Sequence, residues 1–491
     1  MQQDSLLDRA PQAMPLILGV SAFFLMALAG SALLNDPDTY WHIGLGRWIL
    51  ENGAVPRVDP FSHTMPGAPW HAHEWAAGVL LALALAWGGW VGVVALTAAA
   101  VGLTSGILAW GLSKFLRPFY VIAISAVAVI GFSSHILARP HVIVMPVLML
   151  WAVLLVLARH RGERPPLLAA GLMVPWANMH GSFMLGLALA AMLALEALLS
   201  EKQWNGRWIV VRDWGLFGGL SGLAALVTPY GLQGFLFPLH IGTMEKSFKW
   251  ITEWHPPDFG EASPFEGWLL FVLAVALFRG LRLPIVRLAV CLGLLHLSLA
   301  HVRMAEYLIF FGSILVAPMI AAQWSDAASS SNLQSLSRPV WLKTLAATGL
   351  AFVASIGLLI VGGIAPADDK SPVAALTAAR QAGLLSKPVF NEYNFGGYLI
   401  HQGVPTFIDG RADMYGDTFL DRTLTAATDA LATPSLPDIL KQHDVGWTLV
   451  YSADVAAQLL DQSPDWVEFY RDDVAVIHLP AGTVPPVPGQ K

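Results

Sequence analysis

The chain has almost no cysteine and little charge. Cys291 stands alone inside an apolar run, so no disulfide framework exists and a cysteine-based metal centre is excluded. Asp, Glu, Lys and Arg together make up 13% of the 491 residues, where ordinary soluble domains carry about 25%. No long basic run offers a nucleic-acid surface, and the net charge is −6. No Gly-rich phosphate loop sits on a strand–helix turn, which argues against a soluble sugar nucleotide as ligand. What fills the space is apolar: hydrophobic residues are 55% of the chain and mean hydropathy is +0.58. A chain of this composition is mostly membrane-embedded.

Apolar runs able to cross about 30 Å of hydrocarbon fall at 14–34, 91–112, 119–135, 142–158, 166–179, 182–198, 214–229, 266–278, 284–300, 304–322 and 342–363. The run at 75–89 could cross or lie in the interface. The basic residues decide. If 75–89 does not cross and the N-terminus is cytoplasmic, then Lys114, Arg117, Arg159, Arg161, Arg164, Lys202, Arg207, Arg212, Arg279, Arg282, Arg287, Arg338 and Lys343 all fall in cytoplasmic loops, as the positive-inside rule requires. The expected architecture is a polytopic α-helical membrane protein of about eleven spans, with its C-terminus outside. Asp4 and Asp8 spoil a signal peptide's basic region, so the first run reads as an uncleaved anchor, although Ala-Gly-Ser-Ala near residue 30 is of the type a peptidase cuts. The Ser-rich piece 328–337 reads as a cytoplasmic linker.

From about Asp368 the composition turns to that of a soluble domain. A helical pattern at 371–383 and strand-like runs at 388–390, 406–408, 447–451, 466–470 and 474–477 predict a small extracytoplasmic α/β domain. The expected division is a transmembrane domain over 1–364, whose first outer loop (35–90) carries interfacial helices, and a C-terminal domain over 365–491.

Every motif-like stretch then faces outward. Asn35-Asp36-Pro37-Asp38-Thr39-Tyr40-Trp41-His42 places two carboxylates at the water edge, followed by Trp41, Leu45, Trp48 and Ile49 at helical spacing. Either Asp caps that helix, or one works as a general base or metal ligand. His135, Arg139 and His141 lie at an outer helix boundary with no acid beside them in sequence; they serve as interfacial anchors or bind phosphate, which matches the guanidinium fork. Glu253 and Trp254 lie in the longest outer loop, and Arg303 with Glu306 at the mouth of a span. In the soluble part, Tyr393 beside Gly396-Gly397, and Asp409-Gly410-Arg411 after a strand-like run, are either turn chemistry or part of a carbohydrate or peptide groove.

Together these stretches resemble the GT-C type of membrane glycosyltransferase, and within it the catalytic subunit of oligosaccharyltransferases. Asp38-Thr39-Tyr40-Trp41-His42 is similar to that family's Asp-x-aromatic-aromatic-His/Asn motif, Ile251-Thr252-Glu253-Trp254-His255-Pro256 to its Glu-bearing loop, and His301-Val302-Arg303 to its Val-Arg motif. Glu392 to Tyr398 is weakly similar to its Trp-Trp-Asp-Tyr-Gly turn. The resemblance implies a catalytic or metal-binding Asp38, with Asp36 beside it, acceptor binding by Glu253 and Trp254, and donor phosphate binding by Arg303. Arg139 and His141 join the phosphate-binding set, and Tyr393, Asp409 and Arg411 the acceptor side. It also implies a divalent metal, Mg or Mn. This chain departs from the pattern twice: residues 133–141 carry His and Arg where a second acidic motif belongs, and the Trp-Trp-Asp triplet is missing. The departures point away from metal dependence and sequon recognition. The analogy that remains is with GT-C enzymes that use polyprenyl-phosphate sugars and a glycan, lipid or protein acceptor. The rivals are a glycolipid transporter or flippase, and a non-catalytic envelope assembly protein.

Overall fold

The computed structural model describes residues 13–329, 338–367 and 370–483. The expectations for Asp4, Asp8 and most of the Ser-rich linker lie outside these residues. All eleven apolar runs fall on helix. Seven helices among the described residues are long and apolar enough to cross a membrane: Met14–Leu34, Trp75–Ser113, Pro118–His135, Pro140–Arg161, Phe183–Ser200, Val302–Gln323 and Lys343–Val361. The others fall short for visible reasons. Pro264–Arg279 and Ile285–Ala300 have 16 residues each. The run at 166–179 begins as a 3-10 helix, Leu167–Leu172. Helix Trp204–Ala225 carries Arg207, Arg212 and Asp213.

Helix Trp75–Ser113 breaks at Gly89, whose φ of 57° and ψ of −153° are not helical. Glycine alone adopts such a conformation cheaply. The break falls where the sequence reading ended the non-crossing stretch.

The chain divides into two compact units. One takes in the chain up to Leu33, then Val91–Pro238 and Glu253–Ile364; the other takes in Leu34–Trp90, Leu239–Thr252 and the chain from Ala365.

The first unit is the membrane bundle. Trp151, Trp176 and Phe217 fill its centre, with the Trp151 and Phe217 rings stacked at 5.1 Å. The helix Met14–Ala29 meets the second half of Trp75–Ser113 so closely that a Cβ at Gly102 would stand 2.8 Å from the Gly19 carbonyl oxygen. Small residues that let two backbones touch are how apolar helices associate in lipid. Outward-facing Leu277, Phe278, Ile285, Leu350 and Val361 remain exposed, as side chains facing acyl tails do.

The second unit is built on a four-stranded sheet of order β1-β2-β4-β3, with β1 Val389–Asn391, β2 Trp447–Tyr451, β3 Trp466–Arg471 and β4 Ala475–Pro480. β1 and β2 run parallel; β2 with β4 and β4 with β3 run antiparallel. β4 is buried along nearly its whole length because both faces of the sheet are covered. Helix Val373–Gln381 and Phe395, Leu399 and Trp447 make one core. The other core adds an earlier stretch to the unit that resumes at Ala365. Trp41, Leu45, Ile49 and Trp70, from the stretch after the first apolar run, pack with Phe390, Phe407, Ile408, Val450 and Val476. Apolar side chains on helix Asp38–Asn52 need a partner surface, and the C-terminal sheet supplies it. The run at 406–408 also differs from expectation: Thr406 forms a single bridge with Ser62 and no strand. The strand count is otherwise as expected.

Candidate functional site

The acidic turn opens helix Asp38–Asn52. Asp36 is 5% exposed, and its Oδ1 accepts the Asp38 backbone N–H at 2.7 Å. Asp36 thus closes a short turn that takes up the N–H of the first helical residue. Asp38 occupies the first helical position, partly exposed, where the positive end of the helix dipole favours a carboxylate.

Two glycines from far along the chain shape this turn. A Cβ on Gly397 would collide with the Pro37 carbonyl oxygen, and one on Gly410 with Asp38 Oδ1, with Trp41 Nε1 only 2.8 Å away. Neither glycine has positive φ, so what the positions require is room. Gly410 is itself fixed by its neighbours. Arg411, 0% exposed, donates through Nε to Asp409 Oδ1 at 2.7 Å and through Nη2 to Asp409 Oδ2 at 2.7 Å. Its Nη1 reaches Asp59 Oδ1 at 2.5 Å. Its guanidinium lies 4.8 Å from the Trp70 ring and 5.1 Å from Phe61. Asp409 accepts further hydrogen bonds from Tyr415 Oη at 2.7 Å and Thr406 Oγ1 at 2.8 Å. Burial alone would push the Asp409 carboxyl up; the Arg411 charge and these hydrogen bonds outweigh it and hold it below the usual range. Burial likewise opposes the Arg411 charge, and Asp409 more than offsets it, leaving the guanidinium firmly protonated. Asp409 and Arg411, expected on the acceptor side, are thus placed in the interior with their polar atoms committed to protein partners.

Sequence reasoning missed a second group in this unit. Glu74 lies between His42 Nε2 at 3.5 Å and His73 Nε2 at 3.6 Å. Burial disfavours charge on His73, but Glu74, and then Asp413, more than compensate and raise its pKa. The crowding of titratable groups in His71-Ala72-His73-Glu74 was the available signal. Tyr393 packs half-buried at the edge of the core that holds Trp41. Ser247 donates to Asp417 and Trp250 Nε1 to Asp421 at 3.0 Å, which pins the segment 245–250 to helix Asp417–Thr428.

In the membrane bundle the structure gathers five expected residues. Arg139 is ion-paired with Glu253. His141 Nε2 stands 3.8 Å from Glu306, and its ring 6.3 Å from that of His180. The Arg303 guanidinium lies 4.6 Å over the Trp254 ring, and His301 Nδ1 is 2.7 Å from the Trp254 carbonyl oxygen. This corrects the sequence view of 135–141 as a stretch without an acid. Glu253 and Glu306 stand beside it, brought from more than a hundred residues away. The arrangement is a partly exposed patch of guanidinium, imidazole and carboxylate at helix ends, suited to grip an anion that brings its own charge.

The metal implied at Asp38 finds no donor set. Among the described residues no three His, Cys, Asp or Glu side chains are grouped to hold an ion, and Asp36 Oδ1 is occupied by a backbone donor. No chemical step is assigned to a metal.

No protein-family model matches the sequence, and no curated protein matches it in sequence. Among solved structures, the apo oligosaccharyltransferase of Archaeoglobus fulgidus is similar over 97% of this chain and 75% of its own, with a TM-score of 0.52 and 10% identity. A mycobacterial arabinofuranosyltransferase, AftD, aligns with 94% of this chain and 41% of its own, at a TM-score of 0.44 and 13% identity, too slight a likeness to argue from. At 10% identity the first likeness speaks to fold. The chain therefore shares its fold with that oligosaccharyltransferase, and its seven long apolar helices among the described residues suit an integral membrane protein.

Proposed function

We propose that this protein is a membrane glycosyltransferase that moves a sugar from a polyprenyl-phosphate-linked donor to an acceptor on the outer face of the membrane. The observation that carries the reading is the acidic turn. Asp38 heads its helix, seated against Gly410, and Asp36 accepts its backbone N–H. Asp38 takes the proton of the acceptor hydroxyl as that oxygen bonds to the sugar's anomeric carbon. The bond from that carbon to the donor phosphate breaks, and the phosphate leaves with the bonding electrons. Arg139 and Arg303, with His141, meet the charge that develops on it. Glu253, Trp254 and Tyr393 are assigned to acceptor binding in the same proposal. Asp409 and Arg411 serve as scaffold. The eleven-span topology, cytoplasmic N-terminus and extracytoplasmic C-terminal part belong to the same proposal. It rests on the basic residues of the even-numbered loops.

The test is Asp38→Asn with mass spectrometry of lipid-linked sugars and envelope glycans. Asn keeps most of a cap's capacity and loses the charge. Product should vanish while the protein stays inserted, and Asp36→Asn should lose less. Wild-type glycans in both variants and in the double variant would sink the reading. Compartment-specific reporters fused after residues 162 and 400 test the topology; an outer signal at 162 or a cytoplasmic one at 400 overturns it.

One observation bears on the transport rival. Glu196 bridges Arg287 Nε at 2.9 Å and Arg159 Nε at 3.2 Å inside the bundle. These ionisable residues sit near helix ends and pair with one another, and Arg287 also donates to the Leu315 carbonyl oxygen at 2.6 Å. That is a structural clamp; a relay for a passing substrate would need a group ready to change partners.

A further inference from the structure

The ion pair of Arg139 with Glu253 joins two groups that the proposed reaction needs apart. Arg139 directly precedes helix Pro140–Arg161, and Glu253 lies in the 3-10 turn Thr252–Trp254. Neither side chain is sealed off: Arg139 is 14% exposed and Glu253 30%. The backbone beside Glu253 is fixed from another direction. The Val302 N–H donates to the His255 carbonyl oxygen at 2.9 Å, and His301 Nδ1 stands 2.7 Å from the Trp254 carbonyl oxygen. The Arg303 guanidinium lies over the Trp254 ring. Glu253 can therefore leave Arg139 by turning its own side chain, while the turn that carries it stays in place.

The balance of interactions favours an exchange. An ion pair that water reaches contributes little, because solvent screens it and two long side chains must be held in one geometry. A phosphate meets the guanidinium fork with two oxygens in charge-assisted hydrogen bonds. Were Glu253 to stay, its carboxylate would face the phosphate's negative charge across a single guanidinium, and like charges that close repel. The pair is thus a weak contact, open to replacement by a stronger anion.

We infer that Glu253 is the resting counter-ion of Arg139, displaced when the donor phosphate binds, so that its carboxylate turns to the acceptor only once the donor is in place. The identity of the two ligands rests on the proposed function, while the exchange rests on the ion pair. Linkage fixes its sign. Donor binding breaks the contact that withholds Glu253 from the acceptor, so each ligand strengthens the binding of the other.

The experiment uses the full chain in lipid nanodiscs and titration calorimetry. Farnesyl phosphate is the probe for a lipid-linked phosphate, with inorganic phosphate as the free-anion comparison. In Glu253→Gln the competitor for Arg139 loses its charge, and farnesyl phosphate should bind up to about fivefold more tightly, the worth of a partly exposed ion pair. In cells the same variant should lose glycan products, because the acceptor loses its carboxylate. A residue that only held the turn would lower both readouts. Glu253 acts on the phosphate through Arg139, so farnesyl phosphate should bind Arg139→Ala and the double variant alike. The inference is overturned if farnesyl phosphate binds Glu253→Gln no more tightly than wild type, or if the gain survives in the Arg139→Ala background. It is also overturned if inorganic phosphate binds as tightly as farnesyl phosphate, which would make this a free-phosphate site, or if Glu253→Gln keeps its glycans while Asp38→Asn loses them. The two readings fail separately. Intact glycans in Asp38→Asn, together with an Arg139-dependent gain in Glu253→Gln, would remove the transferase and leave the anion exchange standing.

Discussion

Arg411 and Arg303 are both guanidiniums laid against aromatic rings, and they are used in opposite ways. Arg411 is fully buried, with two carboxylates and three rings around it. A ligand could reach it only by displacing a partner already inside the protein. Arg303 is partly exposed over Trp254, beside Arg139 and its Glu253 partner. The two look alike in sequence, each a polar residue at the end of an apolar run. What separates them is burial: Arg411 is enclosed with its carboxylate partners, and Arg303 is partly exposed. An arginine enclosed by carboxylates organises structure, and under the proposed function the exposed one meets the donor phosphate.

The sharpest way to break that comparison is Arg411→Met. It leaves Asp59 and Asp409 as uncompensated buried carboxylates. Removing one partner of a buried pair costs about 3–5 kcal/mol, a large share of the roughly 5–15 kcal/mol that holds a domain folded. The variant should be lost to aggregation or proteolysis. A well-folded Arg411→Met that lacks only activity would make Arg411 a ligand contact after all.

Arg303→Lys should do the reverse. The charge stays, the fork is lost, and the protein should elute and melt like wild type. Affinity for a polyprenyl-phosphate sugar should fall by about 1.5–3 kcal/mol, the worth of a charge-assisted hydrogen bond, or roughly one to two decades. Undiminished donor affinity in both Arg303→Lys and Arg303→Ala would remove Arg303 from the site.

Gly410→Ala tests whether the buried arginine acts on the acidic turn through its neighbour. The added methyl must displace the Asp38 carboxylate. Turnover should drop at least about tenfold, 1.4 kcal/mol of barrier, with donor affinity unchanged. In an Asp38→Asn background it should cost nothing further. A turnover loss that adds to that of Asp38→Asn would point to general damage instead.

The effect confined to one pH window is expected at Glu392. It accepts N–H groups from Asn394 at 2.6 Å and Phe395 at 3.3 Å. Burial, and then the charge of Asp454, raise its pKa to about 8. A carboxyl raised on folding gives its full stability below its unfolded pKa of about 4.3, and loses it as pH climbs to about 8. Glu392→Gln should therefore match wild type near pH 5 and melt higher at pH 8–9. Parallel melting curves across that range would contradict it.

The elements legible in the sequence were those with a local period. The apolar runs all became helix, and the strand-like stretches at 447–451 and 466–470 became β2 and β3, because β-branched and aromatic residues alternate there against turn formers. Residues 406–408 have the same local look. Thr406 instead pairs with Ser62, a choice made by a loop more than three hundred residues away. The acidic turn announced itself by position, but the division of labour between Asp36 and Asp38 depends on one hydrogen bond. The sequence reading of Asp409 and Arg411 as acceptor residues has no access to burial, which turns their polar atoms onto protein partners. Glu253 was legible as a motif and not as the partner of Arg139, since no local rule joins residues 114 positions apart.

The core that joins Trp41, Leu45, Ile49 and Trp70 to Phe390, Val450 and Val476 has a consequence for biosynthesis. The first outer loop leaves the ribosome long before the sheet that covers its apolar face. At about 5–20 residues per second, the intervening 300 or so residues occupy some tens of seconds, and the membrane bundle must be threaded during that time. For that interval the tryptophans of the loop have no protein surface to bury against. A membrane interface is the one nearby place where indole rings rest comfortably, so the bilayer itself holds the nascent loop until the end of the chain arrives. Shortening the C-terminal strands would then harm the loop at its opposite end of the sequence first, by leaving it stranded on lipid.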